Sequence, residues 1–114
     1  MSDPGLFSND AAQGVPVVAR SALAKAAAAG ACAVVDVREP HEYEAGHIPG
    51  AINRPLSSFD PEDLPKGKPI VLVCQAGGRS LRALRIALAT GIPEIGHYPG
   101  GFAGWRSEGG DAAT

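Results

Sequence analysis

The feature that most constrains this chain is the run Ile-Val-Leu-Val at 70–73, which ends on Cys74. Four consecutive apolar residues, three of them β-branched, suit a strand covered on both faces, as in the interior of a parallel sheet. The run passes directly into Cys74-Gln75-Ala76-Gly77-Gly78-Arg79-Ser80. Residues 81–90 then read as a helix, with Leu81, Leu84 and Leu88 forming an apolar stripe and Arg82 and Arg85 on the other side. Gly91 and Pro93 stop it. A strand, a glycine-containing loop and a helix in immediate succession place the loop at the carboxyl end of a sheet, where open parallel sheets bind ligands.

The remaining segments fit around this unit. Residues 33–37 form a second apolar run, and short strands are expected at 15–18, 51–53 and 95–98. Residues 22–29 are strong helix formers, with Ser21 placed to cap them and Gly30 to end them in a left-handed turn. Helical turns are expected at 41–44 and 61–64, and a short amphipathic helix at 102–106 with Trp105 inward. The alternation predicts an α/β architecture, a mainly parallel sheet of about five strands with helices packed on it. A domain over 15–107 is expected, with a flexible leader at 1–14 and a flexible tail at 108–114.

With 114 residues, there is room for one core. The net charge of −2 gives no global basic field toward nucleic acid or anionic lipid, so neither nucleic acid nor membrane is an expected partner. Two cysteines, Cys32 and Cys74, are too few for a small disulfide-held secreted domain. The start of the chain lacks a basic segment followed by an apolar run, and no apolar stretch is long enough to span a bilayer. These readings predict a reducing, cytoplasmic setting in which a thiol stays free.

The chemistry concentrates at Cys74. Gly77 and Gly78 let the backbone curl with its amides inward, and a helix starting near Ser80 turns its positive end toward the loop. Such a ring of N–H donors is an anion site, and the same field favours thiolate over thiol. Arg79 adds a permanent charge and a planar fork of donors, and Arg82 and Arg85 extend a basic rim. A persulfide on Cys74 would place its negative charge where these amides point. A lone cysteine after a strand is ordinarily a small buried hydrophobe. The loop, the arginine and the helix together favour a nucleophile.

The loop 74–80 resembles the active-site loop of rhodanese domains. Asp36-Val37-Arg38-Glu39, Glu42-Tyr43, Gly46-His47-Ile48-Pro49-Gly50-Ala51 and Asn53 resemble that family's amino-terminal signature. Tyr98-Pro99-Gly100-Gly101-Phe102-Ala103-Gly104-Trp105 resembles its carboxy-terminal one. The resemblance spans about residues 15–106. It implies a central parallel sheet flanked by helices on both faces. It also implies transfer of sulfane sulfur through a cysteine persulfide, from thiosulfate or a persulfide donor to cyanide, a thiol or a protein cysteine. Carried onto this chain, Cys74 accepts the sulfur, Gln75, Ala76, Gly77, Gly78, Arg79 and Ser80 form the binding loop, and Arg79 meets a small anionic donor. No metal or organic cofactor is implied. Asp36, Arg38, His47 and Trp105 read as structural support, with Gly100 and Gly101 at the pocket rim. His47 is taken as structural rather than as a proton carrier, since a preformed thiolate needs no strong base.

Other residues receive plainer readings. His41 and His97 have no partners at ligand spacing. Glu42 and Glu44 are expected to be solvated. Cys32 precedes its strand while Cys74 follows one, which puts them at opposite ends of a parallel sheet and makes Cys32 a packing residue. Two alternatives remain: a non-catalytic interaction or sensing module, and a phosphatase or arsenate reductase-like enzyme. Phosphatases of related fold carry five residues between cysteine and arginine, whereas this chain carries four.

Overall fold

The structure is a computed structural model that describes residues 5–114. Six strands form one sheet: β1 Ser8–Asp10, β2 Val15–Val17, β3 Ala33–Asp36, β4 Ile52–Asn53, β5 Ile70–Val73 and β6 Ile95–His97. Four α-helices accompany them: α1 Arg20–Ala28, α2 Pro40–Ala45, α3 Gly78–Ala89 and α4 Gly101–Ser107. The strand order is β1-β2-β6-β5-β3-β4. All pairs are parallel except β1 with β2.

The central β5 is buried at every residue, as its unbroken apolar sequence requires. Its side chains alternate between two cores. Val71 and Val73 join Val18, Leu23, Val34, Ile48 and Trp105 on the face covered by α1, α2 and α4. Ile70 and Leu72 join Val35, Val37, Ala83, Leu84, Ala87 and Ile95 on the face covered by α3. Cys74 belongs to the α3 side. Each fully buried aliphatic side chain contributes roughly 1.5–3 kcal/mol. A charge at any position of β5 would therefore be buried in one layer or the other.

Several expectations are corrected. The segment expected as a leader supplies the sixth strand: Ser8, Asn9 and Asp10 pair with Val17, Pro16 and Val15. Pro16 is tolerated there because β2 keeps its register with β6 through Val17, which needs no donor from position 16. Residues 1–4 of that segment lie outside the described residues. The segment expected as a tail is tied down as well. Asp111 O accepts from Trp105 Nε1 at 2.8 Å, and His47 and Ala113 exchange backbone hydrogen bonds. Ser21 is not the cap of α1. Ala19 holds that position without a side-chain bond, because the helix starts two residues earlier, at Arg20. On α3 the inward side is Ser80, Ala83, Leu84 and Ala87, while Leu88 is exposed. The small alanines let the helix sit close to the sheet. No helix among the described residues is long and apolar enough to cross a membrane.

Candidate active site

Cys74 leaves the carboxyl end of β5 between β3 and β6, the two strands that flank it in the sheet. The residue is 1% exposed, while Gln75, Ala76 and Gly78 of the following loop are exposed above it. The turn is made at Gly77, whose φ is +100°, a left-handed value that side chains rarely adopt. A Cβ there would also lie 2.5 Å from Pro99 O. Gly78, by contrast, is the first residue of α3, has no positive φ and faces open space. Only one of the two glycines is thus required by the curl.

The loop closes on the sulfur. Gly77 N–H donates to Cys74 Sγ at 3.0 Å, and Ser80 Oγ lies 3.5 Å from the same atom. Burial raises the thiol pKa, but the Ser80 side chain and the backbone amides of Ser80, Ala76 and Gly77 lower it, and the net direction is down. Cys32 behaves oppositely: burial raises its pKa, with Lys68 only partly opposing. Cys32 precedes β3 and Cys74 follows β5, so the parallel pair β3–β5 holds them at opposite ends of the sheet.

The loop is braced from both sides. Cys74 O accepts from Phe102 N at 2.7 Å and Gln75 O from Ala103 N at 3.1 Å, which fastens the start of α4 to the loop. Gly101 sits with φ +66°, and any Cβ there would run into the Cys74–Gln75 backbone. Gly100 is exposed, and a Cβ on it would meet the Tyr98 ring. On the other side Arg38, 3% exposed, pairs with the fully buried Asp36 at 2.9 Å. It also donates to Gly46 O at 2.7 Å and Gln75 Oε1 at 3.3 Å, and lies 4.6 Å from the Phe102 ring centroid. All three signature segments therefore meet at Arg38. His47 stacks on Tyr43 at 3.7 Å, and its Nδ1 lies 2.8 Å from Tyr43 O. Trp105 is buried against the first core, with Arg20 over its ring.

Arg79 is held by a partner the sequence reading treated as a solvated charge. Its Nη1 and Nη2 meet Glu42 Oε1 and Oε2 at 2.6 and 2.9 Å. Glu42 is placed by α2, where Pro40 occupies the first turn and Glu39 and Glu42 form a reciprocal cap. The hydrogen bond from Arg79 holds the Glu42 carboxyl down to about 2. Arg79 and Arg82 line a groove of about 410 Å³ with Glu39, Leu56, Ser57 and Ile86. Arg85 instead donates to Gln13 at 3.1 Å, away from this rim.

The sequence reading also missed His97. It is 3% exposed, and its Nδ1 lies 2.8 Å from Ser80 Oγ. The available signal was strand periodicity: His97 pairs with Leu72, so it faces the same layer as Cys74.

Strand delivery, the amide cradle and a loop braced by two flanking segments together hold a buried cysteine of lowered pKa at the carboxyl edge of an α/β sheet. Residues 19–108 match the rhodanese-like domain model, and the chain belongs to that family. It is 36% identical over 93 residues to the thiosulfate:glutathione sulfurtransferase of Saccharomyces cerevisiae, covering 68% of this chain and 67% of that one. It is 42% identical over 78 residues to an uncharacterized Synechocystis protein, slr1261, covering 67% of this chain but only 44% of that protein's length. The human single-domain sulfurtransferase TSTD1 superposes with a TM-score of 0.71 at 31% identity, covering 83% of this chain and 98% of that one.

Proposed function

We propose that this chain is a sulfurtransferase that moves sulfane sulfur through a persulfide on Cys74. The observation that carries this reading is the Gly77 amide at 3.0 Å from Cys74 Sγ, inside a loop whose donors lower the thiol pKa. Similarity to two proteins named as sulfurtransferases supports it.

The reaction divides into two displacements. The Cys74 thiolate attacks the outer sulfur of thiosulfate, the new S–S bond forms, and sulfite leaves with the electron pair of the bond that breaks. The persulfide's terminal sulfur carries the charge and takes over the loop amides, already oriented and needing no rearrangement. A second nucleophile, a thiol or cyanide, then attacks that terminal sulfur and returns Cys74 as thiolate. Arg79 supplies positive charge at the loop rim for the anionic donor. The four-residue spacing between Cys74 and Arg79 makes a narrow ring, which suits one sulfur atom better than a phosphate. A reducing compartment, such as the cytoplasm, keeps both cysteines as thiols.

Intact-protein mass spectrometry after mixing with thiosulfate tests the reading. A gain of about 32 Da on the wild-type chain, absent from Cys74→Ser and removed by cyanide, is expected. No gain with thiosulfate or with a glutathione persulfide would turn the assignment toward a non-catalytic binding module.

A further inference from the structure

We propose that His97 is the proton acceptor for the Cys74 thiol, reached through the Ser80 hydroxyl. The inference rests on the reading of Cys74 as the working nucleophile and adds to it the route by which the thiolate forms.

The problem the site must solve is set by burial. Cys74 is 1% exposed, so its proton has little direct access to water. Ser80 is fully buried beside it, with Oγ 3.5 Å from the sulfur. On its other side the same oxygen lies 2.8 Å from His97 Nδ1. Among the described residues, the one further acceptor within reach of Ser80 Oγ is Gly77 O, at 3.2 Å. One hydroxyl proton thus serves three neighbours, and the histidine tautomer decides where it points. With Nδ1 bare, Ser80 donates to His97 and turns a lone pair toward the thiol. With Nδ1 protonated, His97 donates to Ser80, and the hydroxyl proton is released toward the sulfur.

These two arrangements are the two ends of a proton relay. The Cys74 S–H bond breaks and its proton passes to Ser80 Oγ, while the Ser80 proton passes to His97 Nδ1. Net charge is conserved: a neutral thiol and neutral imidazole become a thiolate and an imidazolium, with Ser80 unchanged. No oxidant or reductant is involved. In the product state Ser80 donates to the sulfur and so stabilises the charge it has just helped to create.

The surroundings suit a neutral acceptor. His97 packs on β6 beside Leu72 of β5 and Val17 of β2, both apolar, and faces Ser80 of α3. Asp10 of β1 is the charged group that acts on it. Burial holds His97 below the ordinary imidazole range, so its ring is neutral before the transfer. Asp10 opposes that effect of burial, and the thiolate left at Cys74 supplies a second negative charge that favours the imidazolium. The relay makes the two groups titrate as a pair. His97 is in this sense a positioning and proton-holding residue, since it touches no substrate.

The test follows ionisation rather than sulfur transfer, so its failure is separable from failure of the proposed function. In a Cys32→Ser background, the ultraviolet absorbance of the thiolate reports Cys74 alone against pH. His97→Leu and His97→Gln are each expected to move the midpoint up by about one unit, leaving about tenfold less thiolate on the acid side. A glutamine can hydrogen-bond to Ser80 but cannot take a proton. A wild-type midpoint in His97→Gln therefore overturns the acceptor role, as does one in His97→Leu. A measurement free of substitutions at His97 stands beside these. In the Cys32→Ser protein, the Cys74 Cβ resonance is expected to report thiolate over a pH range in which the His97 ring nitrogens report imidazolium. A neutral His97 ring wherever Cys74 is thiolate would exclude the relay.

Discussion

Arg79 and Glu42 meet edge to edge, two parallel hydrogen bonds of 2.6 and 2.9 Å joining the active-site loop to α2. The carboxylate also accepts from Glu39 N at 3.0 Å, so one side chain both caps a helix and holds the arginine. In the proposed reaction, a donor anion arriving at the loop would meet a guanidinium already partly neutralised. Arg79→Ala is expected to raise the thiosulfate KM by about tenfold, the worth of one charge-assisted hydrogen bond of ~1.5 kcal/mol. Glu42→Gln is expected to lower it. Steady-state kinetics on both variants checks the pair, and a shift in the same direction would remove Arg79 from donor binding.

The same pair governs an acid limb of stability. Glu42 titrates near 4.5 when unperturbed and is held down to about 2 in the fold. A depressed carboxyl contributes stability that is complete above the unfolded value and lost as pH falls through the folded one. Wild-type stability should therefore decline from about pH 4.5 toward pH 2, and Glu42→Gln should flatten that decline. Urea unfolding at stepped pH measures it. The pair is half-exposed at the arginine, so its contribution at neutral pH is modest.

The two adjacent glycines of the loop make a paired prediction. Gly77→Ala meets both the positive φ and the Pro99 carbonyl, and should cost at least ~2 kcal/mol while slowing persulfide formation. Gly78→Ala meets neither and should be neutral or stabilising by up to ~1 kcal/mol. Thermal melts and the mass assay separate them.

Arg38 carries the largest expected stability effect. Arg38→Leu strands the fully buried Asp36 carboxylate and removes the bonds to Gly46 and Gln75. A loss of ~3–5 kcal/mol is expected, as for other buried pairs broken on one side. The double variant with Asp36→Val should recover part of it, and a double-mutant cycle in urea measures the coupling.

The central strand, the loop and the following helix were legible from sequence because β5 is apolar at every position and ends on Cys74. The edge strand at Ser8–Asp10 was not, because its residues are polar and mostly exposed, and only its pairing with Val15–Val17 across a short hairpin makes it a strand. Leu88 misled for the opposite reason: its spacing fits the stripe, but the close approach of Ala83 and Ala87 rotates the buried side of α3 toward Ser80. Within the site, backbone roles followed from motif and spacing. The partners of Arg79 and Ser80 lie 37 and 17 residues away, and only the fold brings Glu42 and His97 to them.

The placement of the two cysteines at opposite ends of the β3–β5 pair has a consequence for how a catalytic cycle could end. Cys32 is the only other thiol in the chain, and the full length of the paired strands lies between it and the loop. In the proposed reaction, a sulfur loaded at Cys74 would have no internal exit as a disulfide. The loaded form would be a parked state that waits for a visitor, its lifetime set by whichever molecule next reaches the rim.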